Sequence, residues 1–276
     1  MSFRRLVLIL LGGMVLGLAG CKARSGGGGD PLPSWNDGPT KTAIKAFVLS
    51  VTQRGSPDYV KPSARIAVFD NDGNLWCENP LPFQLAFAID ELKRLEPDHP
   101  EWKDDAIVQA GLNGDIATIA EGGHAALGKL VALTHAGMTT DEFDDRVRSW
   151  MSTARHPRFD RPYYECVYQP MLELLDYLRA NGFVTWIVSG GGVDFMRVWA
   201  EKRYGVPPGQ VVGSVMEVEY ELRDGVPVLV KKPALAVVDD KAGKPVGIHR
   251  QIGQRPVVAS GNSDGDLQML QWTTIG

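Results

Sequence analysis

Hydrophobic positions along this chain follow three rhythms. Residues 6–18 are apolar at almost every position, directly after Arg4 and Arg5, and small residues then lead to Cys21. Three short runs, Ala64–Phe69, Phe183–Ser189 and Arg255–Ser260, have strand length and are largely apolar. Such runs predict strands buried on both faces of a parallel sheet. Elsewhere apolar residues recur at about 3.6-residue spacing, which predicts helices. These cover Lys41–Arg54, Phe83–Leu95, His124–Gly137, Thr139–Ala154, Tyr168–Gly182, Val193–Gly205, Lys244–Gly253 and Asp264–Trp272. Thr139 followed by Glu142 fits a capping box that starts the fourth of these. Val218–Lys231 alternates around Asp224-Gly225 and predicts a β-hairpin.

Strand–helix alternation interrupted by a purely helical stretch predicts the α/β class. The expected core is a Rossmann-like doubly wound parallel sheet, and residues 78–165 form a helical insertion after its first strand. Residues 40–77 and 166–276 then make the core. Ligands of such sheets gather beyond the carboxyl ends of the strands. Three predicted strands end in polar clusters: Asp70-Asn71-Asp72, Ser189-Gly190-Gly191-Gly192, and Gly261-Asn262-Ser263-Asp264-Gly265-Asp266.

Composition narrows the possibilities. The 276 residues are 44% hydrophobic and 22% charged, with Lys+Arg 29 against Asp+Glu 33, so no basic excess suggests nucleic acid. The five histidines are scattered without metal-ligand spacing, which argues against a histidine-based zinc site. The N-terminal apolar segment is too short for a membrane span and reads as a secretory signal over residues 1–20. Leu18-Ala19-Gly20-Cys21 resembles the lipobox of bacterial lipoproteins. The resemblance implies cleavage before Cys21, a lipid on its thiol, and a location outside the cytoplasm against a membrane. A Gly/Pro/Ser-rich flexible tether over residues 21–39 is expected to follow.

Asp70 and Asp72 sit one residue apart, so their repulsion needs an offset: solvent, a cation, or phosphoryl chemistry. A calcium loop does not fit, because its sixth position would be Leu75 rather than Gly and its twelfth Leu81 rather than Glu. Taken one at a time, each cluster has a plainer reading: a solvated turn, a flexible Gly-rich turn, or acids capping a helix. No P-loop, nucleophile elbow or dinucleotide fingerprint is present.

Taken in order, the clusters resemble the motifs of the haloacid-dehalogenase-like phosphatases, in particular the phosphoserine-phosphatase-like branch. Asp70-Asn71-Asp72-Gly73-Asn74 matches the first motif, Ser189 in VSGGG the second, Lys244 (rather than Lys241) the third, and the acidic loop from Gly261 the fourth. The resemblance implies Asp70 as nucleophile, Asp72 as general acid and base, and Ser189, Gly190 and Lys244 on the phosphoryl group. It implies Mg²⁺ held by Asp70, the Asp72 carbonyl and residue 262, with Asp266 beside them, and a small phosphorylated metabolite as substrate. Asn262 stands where an acid is usual and Asn74 where Thr or Val is usual. The first substitution weakens metal binding unless Asp264 or Asp266 compensates, and it leaves open a non-hydrolytic ligand-binding protein. Dehalogenation, which needs no acid two residues after the nucleophile, fits less well. Cys77 and Cys166 flank the helical insertion, and two readings stay open: a disulfide across its hinge, or two free thiols.

Overall fold

A strand at the centre of a doubly covered sheet has no polar face, and Ile66–Phe69 meets that condition with all four residues buried. The computed structural model describes residues 6–9 and 29–274. Among these, β1 (Leu6–Ile9), β2 (Ile66–Phe69), β3 (Val184–Gly192), β4 (Val211–Arg223), β5 (Val226–Val237) and β6 (Val258–Gly261) form one mixed sheet. The order is β1-β6-β2-β3-β4-β5, parallel except for the β4–β5 hairpin. The hairpin turns through Asp224 (φ 53°) and Gly225 (φ 79°), the doubly positive φ of a tight two-residue turn.

The sheet is covered on both faces. Ala67 and Phe69 join a core with α1 (Pro39–Thr52), α7 (Gln169–Ala180), α8 (Val193–Arg197) and α9 (Ala200–Tyr204). Ile66 and Val68 point the other way, against Ile248 of α10 (Gly243–Ile252) and Met269 and Leu270 of α11 (Leu267–Thr274). Between β2 and β3 lie α2 (Phe83–Leu95), α3 (Ala106–Asn113), α4 (Ile116–Glu121), α5 (Gly123–His135) and α6 (Thr140–Thr153). This helical insertion has its own small core around Leu92, Trp102, Val108 and Leu130. The Thr139–Glu142 capping box at α6 forms in both directions. β5 docks on the insertion through Gly137 N–H to the Lys231 carbonyl (2.9 Å) and Lys231 N–H to the Met138 carbonyl (2.9 Å).

Two expectations are corrected. The helix over Val193–Gly205 is two short helices broken at Val198-Trp199. There Trp199 leaves the helical path to stack on Trp76, with centroids 4.2 Å apart, and this burial outweighs local helix propensity. The tether does not extend to residue 39. Leu32 is fully buried in the main core, Ser34 N–H and Oγ–H donate to Glu173 (2.8 and 2.6 Å), and Trp35 Nε1–H donates to the Pro170 carbonyl (2.8 Å). Most of residues 1–20, where a secretory signal is expected, Cys21 and the segment to residue 28 lie outside the described residues; the backbone of Leu6–Ile9 pairs with β6. No helix among the described residues is long and apolar enough to cross a membrane.

Candidate active site

β2, β3 and β6 are neighbours, so their carboxyl ends bring the three polar clusters together. Asp70 follows β2, and its N–H donates to the Ser260 carbonyl of β6 (2.9 Å). The turn beyond is tied by Asn71, whose carbonyl accepts the N–H groups of Asn74, Leu75 and Trp76. Asn74 does the bonding that its unusual position demands: Nδ2–H donates to the Asp70 carbonyl (2.9 Å) and Oδ1 accepts from Ser260 Oγ (2.8 Å). Asp72 Oδ1 accepts from Trp76 Nε1–H (2.7 Å).

Lys244 carries the third motif to this edge. The buried ammonium donates to Asp70 Oδ1 and to Asp266 Oδ1, both at 2.6 Å. Lys241, the other sequence candidate, is exposed. Burial alone lowers the Lys244 pKa, but Asp70 and Asp266 outweigh it and hold the group above its ordinary value. Burial pushes Asp70 up to about 7, against the pull of Lys244. Burial likewise pushes Asp72 up to about 6, with Trp76 opposing and Glu78 adding to the rise. A carboxyl displaced toward neutral pH, as Asp72 is, is suited to proton transfer.

Ser189 is buried at the end of the β3 apolar run, and its Oγ accepts from Gly191 N–H (3.1 Å). A side chain on Gly191 would lie 3.4 Å from Ser189 Oγ and 3.9 Å from Asp72 Oδ2, so these two groups flank one glycine. Gly190 is exposed beside them, with its carbonyl accepting from Ser214 Oγ (2.8 Å).

The residues present fit a hard divalent cation. One amide atom of Asn262 lies 2.9 Å from the Asp72 carbonyl oxygen and 3.2 Å from Asp70 Oδ2; the other lies 3.5 Å from Glu78 Oε1. The amide oxygen and nitrogen are told apart only by what they bond. Nitrogen inward donates to both motif oxygens. Oxygen inward makes three oxygens converge with no hydrogen between them, the donor set Mg²⁺ takes, and turns the nitrogen toward Glu78. Among the described residues no group of three or more His, Cys, Asp and Glu side chains is placed to hold a metal ion. This set is instead one carboxylate, one carbonyl and one amide.

Asp266, expected beside the metal, is bonded here to protein groups. Oδ1 is taken by Lys244, and Oδ2 accepts Asn262 N–H (2.9 Å), Ser263 N–H (3.0 Å) and Ser263 Oγ (3.2 Å). These bonds shape the loop and hold Lys244. Asp264 is exposed, and the carboxylate beside Asn262 is Glu78. Glu78 and Gln84, which donates no motif but accepts from Gly192 N–H (2.6 Å), are site residues the sequence reading passed over. Only their closeness to the first cluster could have marked them. Cys77 and Cys166 meet through their backbones, Cys77 N–H donating to the Cys166 carbonyl (2.9 Å), and among the described residues both thiols are free.

The sequence profile of the haloacid dehalogenase-like hydrolases matches residues 67–271. The chain belongs to this family. A conserved protein of unknown function from Anaerococcus prevotii DSM 20548 shares the fold, with 14% identity, a TM-score of 0.52, and 83% of this chain and 81% of that chain covered. A protein of unknown function from Bordetella pertussis Tohama I aligns at 16% identity and TM-score 0.46, covering 69% and 74% of the two chains. A phosphoserine phosphohydrolase-like protein from Francisella tularensis aligns at 18% identity and TM-score 0.42, covering 75% and 82%. No curated protein matches the sequence. For this hydrolase, the matched span runs from within β2 into α11 and includes every polar cluster at the sheet edge.

Proposed function

We propose that this hydrolase is a Mg²⁺-dependent phosphatase acting on a small phosphomonoester. The reading rests on one observation above all: Lys244 joins Asp70 and Asp266 at 2.6 Å each, while the free oxygen of Asp70 shares a cluster with the Asp72 carbonyl and Asn262. A carboxylate oriented by an ammonium on one oxygen can present a lone pair of the other to phosphorus, and Asp70, the Asp72 carbonyl and Asn262 would hold the cation. Asp70 attacks and the phosphorus–oxygen bond to the alcohol breaks. Asp72, near neutrality, gives its proton to the leaving oxygen. Asp72 then takes a proton from water, which attacks the acyl phosphate and releases phosphate and Asp70. Ser189, Gly190 and Lys244 hold the phosphoryl oxygens; one such preorganised donor is worth roughly 3 kcal/mol of barrier. Bound Mg²⁺ supplies the charge that offsets two carboxylates and a phosphoryl dianion at one edge.

The uncharged Asn262 favours one alternative, a protein that binds a phosphorylated ligand without turning it over. Hydrolysis of p-nitrophenyl phosphate with Mg²⁺ and with EDTA separates the two. The phosphatase reading expects turnover lost with EDTA and with Asp70→Asn; no turnover across a panel of small phosphomonoesters supports the binder. The reading also includes export and a lipid on Cys21, supported by Leu18-Ala19-Gly20-Cys21. Labelling with a fatty acid, lost in Cys21→Ser, is the expected result; equal labelling of both proteins contradicts it.

A further inference from the structure

The chain leaving Ser189 is gripped from outside the core sheet. Gln84, on the first turn of α2, accepts the Gly192 N–H at 2.6 Å across 108 residues of sequence. A side chain on Gly192 would meet Gln84 Nε2 at 2.5 Å, and one on Gly191 would meet Gln84 Oε1 at 3.3 Å. The amide therefore lies directly on the glycine backbone. α2 itself is firmly seated: Phe83 and Phe87 are fully buried, and Phe83 packs on Trp76 with centroids 4.0 Å apart. Two residues past Gly192, Asp194 is paired with the buried ammonium of Lys231 from β5, which also lies 4.3 Å from the Phe143 ring centroid.

The contact reaches Ser189 in two steps. Gln84 fixes Gly192, and the preceding Gly191 N–H donates to Ser189 Oγ. With that lone pair occupied, the direction left to the Ser189 hydroxyl is set by where the glycines lie. Glycines are the residues least able to hold a position unaided.

We propose that Gln84 is a positioning residue: it sets the Ser189–Gly192 end of β3 and ties the seating of the helical insertion to the shape of the phosphoryl pocket. The proposal rests on the reading that Ser189 faces the phosphoryl group. Gln84→Leu removes the acceptor at similar size, and Gln84→Glu retains it. The test is residue-resolved amide exchange on the full chain, together with p-nitrophenyl phosphate kinetics. In Gln84→Leu, Gly192 exchange rises about tenfold, as loss of one hydrogen bond implies, while amides of β2 and β6 are unchanged. kcat falls about tenfold with little change in KM. In Gln84→Glu the Gly192 protection stays. Unchanged Gly192 exchange and unchanged kcat in Gln84→Leu overturn the proposal, as does equal loss of protection in both variants. If the unaltered protein turns nothing over, the phosphatase reading fails by itself, and exchange still decides whether Gln84 sets the end of β3.

Discussion

The edge formed by β2, β3 and β6 and the helical insertion above it are built on opposite principles. At the edge, polar groups are buried and paired to one another: Lys244 with two aspartates, Asn74 with Asp70 and Ser260, and Asp266 with a loop backbone. The insertion is held by apolar faces, with a core of Leu92, Trp102, Val108 and Leu130. It reaches the site through isolated polar contacts such as Gln84. A paired polar edge fixes chemistry and tolerates little change, whereas an apolar insertion can drift in sequence while keeping its seat.

The sharpest way to break this contrast is at the edge. Asp70→Asn should lower turnover about a thousandfold or more while leaving the fold intact, because the amide keeps the shape but not the nucleophile. Steady-state kinetics check it, and turnover within tenfold of the parent would remove Asp70 from the mechanism.

That the edge was legible in the sequence, and its partners less so, has a physical cause. Strand-end clusters are local: Asp70 to Asn74 and Gly261 to Asp266 are each contiguous, and the short apolar runs before them name the strands. Helices of the insertion show in their period, and the Thr139–Glu142 box fixes one boundary. Gln84 touching Gly192, Glu78 beside Asn262 and Lys231 reaching Asp194 depend on how distant segments pack, and no spacing encodes them. In sequence a fourth-motif acid such as Asp266 looks the same whether it faces a cation or a lysine, so its bond to Lys244 is not legible there. The docking of Leu32 was hidden by the Gly/Pro/Ser-rich composition around it.

Lys244→Met should cost about 3–5 kcal/mol of stability, since Asp70 and Asp266 are left buried without a counter-charge. Urea denaturation measures this; a loss below about 1 kcal/mol would mean that the pairing contributes little. Next is Asp239, a fully buried carboxyl at the same edge whose oxygens have no hydrogen-bond partner among the described residues. Burial pushes it up to about 7. Between its ordinary value and pH 7 the folded state holds a proton that the unfolded state has lost, so stability falls as pH rises through that window. Asp239→Asn should therefore gain about 2–4 kcal/mol over the parent between pH 4 and pH 8. Parallel pH curves for the two proteins would contradict it. The smallest effect is on Asn262→Asp, which adds a charge to the oxygen cluster and should tighten Mg²⁺ binding about tenfold by calorimetry. Unchanged affinity would place the cation elsewhere.

The central claim is that Asp70 carries the phosphoryl group between two half-reactions. Mass spectrometry of the Asp70-containing peptide, after acid quench during turnover of a phosphomonoester with Mg²⁺, tests it directly. One added phosphoryl group on that peptide, absent in Asp70→Asn, is the result expected here. Turnover with no phosphorylated peptide, or with the group on a different residue, would contradict it.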